Sequence, residues 1–382
     1  MSLGKRKNYN CFSNGANVIS FFALVRAGLW EENVNLTTSK EIDYVNVCRF
    51  ADEQSVVGLI AAGLEHVDGL KIPQEIALQF AGQALQIERR NKAMNLFINR
   101  LISILRECDV YTLLVKGQGV AQCYERPLWR ASGDIDLFLS EVNYKKAKSI
   151  LIPKASSIEK EDVVCKHLGM TIGDWIVELH GMLYCALSFR IRRVLKEIMR
   201  ETLYGGIVRS WQNENIQVFL LGAENEALYI FTHYIGHFYG GGVGLRQICD
   251  WCRLLWTYRD TIDVALLEKR LNSMGLTTEW KAFGAFAVEY LGMPKEAMPL
   301  YDSDDKWKRK AVKICSFIMK VGNFGQNRDM TYYGKYPLLI RKTISFIRRC
   351  CDLWNHVKIF PFDSLRFFSN IVFNGIRSVT QD

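Results

Sequence analysis

The feature that most constrains this chain is a change of hydrophobic period, from helical to strand-like and back again. Between about residues 14 and 107 the apolar residues recur at helical spacing, as Ile76, Phe80, Ile87, Met94, Phe97, Leu101 and Leu105 show with separations of three, four or seven. Short β-prone runs follow at Val110 to Val115, Ile135 to Leu139, about 163 to 171, Trp175 to His180 and Ile216 to Leu221, with a helical stretch at 143 to 151 between them. From Glu224 the helical period returns and runs to about residue 292, and the charged stretch from Asp302 to Lys310 reads as a linker or an exposed helix start. Helices, then a small mixed sheet, then helices describe an α+β protein rather than a doubly wound sheet. The expected division is a helical region over 1–108, a mixed-sheet core over 109–221 and a helical domain with a basic tail over 222–382.

Charge narrows the partners. The chain has 49 Lys and Arg against 40 Asp and Glu, a net +9, which suits nucleic acid, an anionic membrane surface or a phosphorylated small substrate. More than half of the excess lies in residues 335–382, where eight basic residues face three acidic ones. That tail interleaves aromatics with Arg and Lys, so it reads either as an amphipathic helix for an anionic surface or a partner, or as a solvated basic face over a packed apolar stripe. The eleven cysteines are odd in number and scattered, with Cys350 adjacent to Cys351, unlike a secreted disulfide framework. The basic N-terminus leads into an apolar run broken by Arg26 and lacks a small-residue cleavage site. No run approaches 18 uninterrupted apolar residues, so no transmembrane helix is expected; the cysteine pattern points to a reducing cytoplasmic location.

The chemistry concentrates between Leu113 and Leu139. Gly133-Asp134-Ile135-Asp136-Leu137 opens an expected strand, whose period of two projects Asp134 and Asp136 from one face and sends Ile135 and Leu137 into the core. Two hard carboxylates on one face suit Mg²⁺, which takes its remaining ligands from water and substrate phosphates. The bland alternative is a solvated or capping Asp-x-Asp. Upstream, a strand ends in Lys116-Gly117-Gln118-Gly119 and opens a short helix, a turn whose backbone N–H groups suit phosphate oxygens. A dinucleotide-binding unit shares that outline. Three details disfavour it: Gln122 stands at the third glycine position, Pro127 ends the intervening helix early, and the acids precede the apolar run of their strand.

These residues resemble an uncharacterised bacterial family of the polymerase-beta-like nucleotidyltransferase superfamily. The resemblance is carried by Lys116, Gly117 and Tyr124, by Arg130 with Gly133 to Leu137, and by Glu178-Leu179-His180, with a weaker match at Leu245, Arg246 and Asp250. It implies a polymerase-beta-like core and transfer of a nucleoside monophosphate from an NTP, ATP among them, to a hydroxyl of a small molecule or sugar. Nucleic acid is the less favoured acceptor. It also implies a two-metal Mg²⁺ site on Asp134, Asp136 and Glu178, with Glu178 as ligand or base. Lys116, Gly117, Gln118, Arg130 and Gly133 are then the nucleotide contacts, and His180 is a candidate substrate contact, ahead of His167. The superfamily's usual turn is Gly-Ser, and Gly117-Gln118 replaces it here. A nucleotide-binding regulatory protein with little or no turnover is therefore the second expectation.

Two further patterns in the C-terminal half resemble sites. His233 and His237, with Cys249 and Cys252, have the types and spacing of a Cys₂His₂ zinc site, but the same spacing describes one buried helical stripe. Gly240-Gly241-Gly242-Val243-Gly244 lacks the Gly-Lys-Ser/Thr ending of a P-loop and reads as a helix connection.

Overall fold

The computed structural model describes residues 15–36, 42–68, 71–183, 188–328 and 336–369. The basic N-terminal start and the last residues of the tail lie outside the described residues. Four helices come first: α1 (Gly15–Trp30), α2 (Tyr44–Gln54), α3 (Val57–Glu65) and the long α4 (Gln74–Glu107). Two short parallel strands, β1 (Val34–Asn35) and β2 (Val67–Asp68), pair beside them.

The central region runs β3 (Leu113–Val115), α5 (Gly117–Ala121), β4 (Asp134–Phe138), α6 (Glu141–Leu151), β5 (Ser157–Ile158), β6 (His167–Ile172), β7 (Trp175–His180), α7 (Phe189–Gly205), β8 (Val208–Asn213) and β9 (Ile216–Leu221). These strands form one sheet in the order β5-β6-β7-β4-β3-β9-β8. The pairs β4–β7 and β3–β9 are parallel and the others antiparallel. A dinucleotide-binding unit would make β3 and β4 parallel, so their antiparallel pairing disposes of that reading.

The C-terminal part is helical: α8 (Ala223–Gly240), α9 (Leu245–Thr257), α10 (Val264–Met274), α11 (Thr277–Leu291), α12 (Asp305–Val321) and α13 (Leu338–Val357). Local chemistry sets several of these boundaries. The Asp43, Ser140, Asp263 and Asp304 side chains accept from backbone N–H groups at the starts of α2, α6, α10 and α12. Gly206, Gly275 and Gly292, each at φ +69°, end α7, α10 and α11 in the left-handed conformation that a side chain resists. The charged stretch at 302–310 is thus the cap and first turn of α12.

The two faces of the sheet belong to different cores. Leu114, Ile135, Leu137, Val177, Leu179, Val218 and Leu220 point toward Met94, Ile98, Leu101 and Leu105 of α4 and toward Tyr144, Ala147 and Leu151 of α6. Val115, Phe138 and Leu221 point the other way, into a larger cluster that takes in both helical flanks. Phe22 of α1 meets Phe286 and Tyr290 of α11 at 6.2 and 5.2 Å, and the Trp30 indole donates to the Leu291 carbonyl at 2.6 Å. The first and last helices therefore pack as one body against the face on which Asp134, Asp136, Glu178 and His180 lie.

The basic tail is anchored to that body. His356, Ile359, Phe360 and Phe367 are buried, and Arg328 pairs with Asp352 at 2.7 Å. Eight described cysteines carry free thiols and Cys165 is disulfide-bonded. Among the described residues no helix is long and apolar enough to cross a membrane.

Candidate functional site

Strand register assembles the acids. In the parallel pair β4–β7, Asp136 stands opposite Glu178 and Phe138 opposite His180, so their side chains leave the same face. In the antiparallel pair β6–β7, His167 stands opposite His180. Ligand atoms of Asp134, Asp136 and Glu178 lie within 4.8 Å of one another, and so do those of His167, Glu178 and His180. Glu178 belongs to both groups.

Short polar contacts knit the cluster. His180 Nε2 lies 2.7 Å from Asp136 Oδ1 and 3.4 Å from Glu178 Oε2, and His167 Nε2 lies 3.1 Å from Glu178 Oε2. Lys116 Nζ reaches Asp136 Oδ1 at 3.1 Å, with the Tyr229 ring of α8 5.8 Å away.

The three carboxylates differ electrostatically. Hydrogen bonds from His167 and His180 outweigh burial and hold Glu178 well below the usual carboxylate range. Burial opposes the charge on Asp136, but Lys116 and His180 overcome it and lower its pKa. Burial and the neighbouring Asp136 charge raise Asp134 despite Lys116. Glu178 is thus a weak base and an available ligand, whereas Asp134 is the acid of the three that gains most from an arriving cation.

The turn before the acids is built for proximity. Lys116 has φ +59° and Gly117 φ +46°, a sharp reversal that carries the Lys116 side chain to the acid face. The Lys116 backbone N–H donates to Glu226 Oε1 at 3.2 Å, and Glu226 is fully buried and paired with Arg209. Gly133 is exposed, and a Cβ placed there meets nothing within 4 Å, so the approach to Asp134 is open.

Two expected nucleotide contacts are directed elsewhere. The Gln118 amide is buried and donates to Asn91 Oδ1 of α4 at 2.8 Å, so its side chain is engaged with α4. Arg130 makes a two-pronged pair with Asp250 of α9, Nε–Oδ1 3.0 Å and Nη2–Oδ2 2.6 Å, and its Nη1 donates to Ser132 Oγ at 2.6 Å. A guanidinium so occupied and only 7% exposed ties the loop before β4 to α9. Tyr124 joins the same brace, its hydroxyl donating to Asp250 at 2.8 Å.

Arg246 lies beside the same loop. Its Nη1 donates to the Ala131 carbonyl at 2.9 Å, its Nε is buried without a partner, and it stabilises the charge of Asp134. Burial and the neighbouring Arg130 charge lower its pKa, which is the situation of a cation that an anion would relieve. Arg246, Asp250 and Arg253 lie four and three residues apart on α9, and that spacing in the sequence was the available sign that one helix face grips the 123–131 segment.

The remaining histidines and cysteines do not gather around one point. Cys249 and Cys252 are fully buried core residues, and burial pushes both thiols up. His233 and His237 face each other at 3.1 Å, and among the described residues neither they nor these cysteines belong to a group able to hold a metal. The five-residue glycine-rich connection packs against Val321, Gly322 and Gly325 through Gly242, at φ +122°.

A family model for an uncharacterised nucleotidyltransferase matches residues 40–292, a span that contains every residue of the cluster. No curated protein and no solved structure matches the chain.

Proposed function

The chain belongs to this uncharacterised nucleotidyltransferase family, and from that membership we propose that it moves a nucleoside monophosphate from an NTP to a hydroxyl of a small molecule or sugar. The observation that carries the reading is the convergence of Asp134, Asp136 and Glu178 from neighbouring parallel strands onto one partly open point. Three hard oxygen donors with an unfilled approach at Gly133 fit Mg²⁺, and these residues would hold it. When bound, the ion would neutralise triphosphate charge and acidify the acceptor hydroxyl.

The chain's own groups account for the rest. The acceptor oxygen forms its bond to the α-phosphorus as the bond to the bridging oxygen breaks, and pyrophosphate leaves with the electron pair. Lys116, now on Asp136, and Arg246, now with an unpaired Nε, are the cations placed to meet the added negative charge. Gly117 and Gly133 contribute backbone and clearance. Asp134 is the better proton acceptor of the three carboxylates and Glu178 the better ligand, because the histidines draw down the basicity of Glu178. The fold that fits this chemistry is a polymerase-beta-like core within the α+β chain.

A binding-only function has one observation in its favour: Gln118 supplies no hydroxyl at the turn and its amide is buried. Calorimetric titration with each NTP and Mg²⁺ tests the site. Asp134→Asn, Asp136→Asn and Arg246→Met are each expected to weaken binding about 10- to 100-fold, the range for charge-assisted contacts. Unchanged affinity in all three variants would remove the proposed site.

A further inference from the structure

We propose that His167, Glu178 and His180 form a second metal seat, one that takes a divalent transition-metal ion such as Mn²⁺ in preference to Mg²⁺. It deepens the nucleotidyl-transfer reading and rests on it for the ion's purpose, while the seat itself stands on geometry.

The register of β6 and β7 sets His167 directly opposite His180, with ring centroids 4.8 Å apart. Both rings turn a Nε2 toward the same Glu178 oxygen, at 3.1 and 3.4 Å. Ligand atoms about 2.1 Å from a shared ion, at tetrahedral or octahedral angles, lie about 3.0 to 3.4 Å apart. These two spacings fall in that interval. All three ligand atoms lie within 4.8 Å of one another, while Asp136 Oδ1, at 2.7 Å from His180 Nε2, is closer than that interval and bonds the ring from outside the set.

Donor chemistry separates this seat from its neighbour. Asp134, Asp136 and Glu178 offer oxygen alone, which suits Mg²⁺. Two imidazoles with one carboxylate are a donor set of first-row transition metals and a poor set for Mg²⁺; among those metals Mn²⁺ also accepts oxygen donors and serves as a paramagnetic reporter. Sharing Glu178 places the seats side by side, so the ion nearer β6 would be chosen by nitrogen donors while the ion nearer β4 is chosen by oxygen. The alternative is that the histidines only orient Asp136 and Glu178 by hydrogen bonds.

Pulsed electron paramagnetic resonance of the full chain decides between these. The protein is held in excess Mg²⁺ and titrated with Mn²⁺, and coupling of the bound manganese to ¹⁴N is recorded. The seat predicts one tightly held Mn²⁺ with imidazole nitrogen coupling. His167→Gln and His180→Gln should each diminish that coupling and weaken Mn²⁺ binding at least about tenfold, the lower bound seen for loss of mere supporting partners. Asp134→Asn should leave the nitrogen coupling in place. Manganese bound through oxygen alone, or not held against Mg²⁺, overturns the proposal from the unsubstituted protein even if the variants do not fold. Nitrogen coupling without NTP binding would keep the seat and refute the transferase reading; NTP binding with oxygen-only manganese would do the reverse.

Discussion

At the scale of single residues, neighbours decide what each acid can do. Asp134 and Glu178 share a face and are both partly buried, yet one is raised by burial and Asp136 and the other lowered by two histidines. Their types and positions were readable from the strand period, but their opposite electrostatics were not, because His167 reaches Glu178 only through the pairing of β6 with β7. Glu279, remote from the sheet, illustrates the same dependence. It is fully buried, accepts from the Tyr239 hydroxyl at 3.1 Å and leaves Oε2 without a partner; burial, and secondarily Asp363, push it up to about 8. Between about pH 4.5 and pH 8 the folded chain keeps a proton that the unfolded chain has released, so stability falls as pH rises through that window and levels off above it. Glu279→Gln, which cannot ionise, should gain on the parent protein by on the order of 3 to 5 kcal/mol between about pH 5 and about pH 8.5. Denaturant midpoints at the two pH values measure this, and a pH-independent difference would refute the buried acid.

At the scale of elements, α9 is the device that fixes the approach to the site. Arg246 bonds the Ala131 carbonyl, Asp250 receives Tyr124 and Arg130, and Arg253 bonds the Cys123 and Leu29 carbonyls and Glu125. One helical face thus clamps the loop that delivers Gly133 and Asp134 to β4. The sequence places Arg130 three residues before Gly133, but its pairing with Asp250, 120 residues away, could not be read from that local pattern. Asp250→Ala would leave the Arg130 guanidinium buried without a counter-charge, and a loss of about 3 to 5 kcal/mol in urea unfolding is expected. Adding Arg130→Met should recover at least half of that loss. A cost below about 1 kcal/mol for Asp250→Ala would show that the pair is not a brace. The short strands were the least legible elements: β1, β2 and β5 escaped pattern reading because two residues carry no period, and β8 because its six residues are mostly polar, with only Val208 and Trp211 apolar.

At the scale of the whole molecule, the chain order of helices, sheet and helices is regrouped by packing. α4 joins the sheet through its inner face, while α1 to α3 join the C-terminal helices in one cluster over the acid face. The order of periods revealed the elements but not this closure, which depends on aromatic contacts such as Phe22 with Phe286 across most of the chain. The closure lays Tyr229 of α8 near Lys116 and leaves Gly133 open, so the site is covered on one side and accessible on the other. Such a shape suits the proposed reaction between a bound triphosphate and a second molecule. The central claim is therefore tested most directly by incubating the full-length protein with each α-labelled NTP, Mg²⁺ and a small-molecule extract, and following both label and pyrophosphate. The account predicts label on a hydroxyl-bearing acceptor with matching pyrophosphate release, both lost in Asp136→Asn; tight NTP binding with no label and no pyrophosphate for any of the four nucleotides would contradict it.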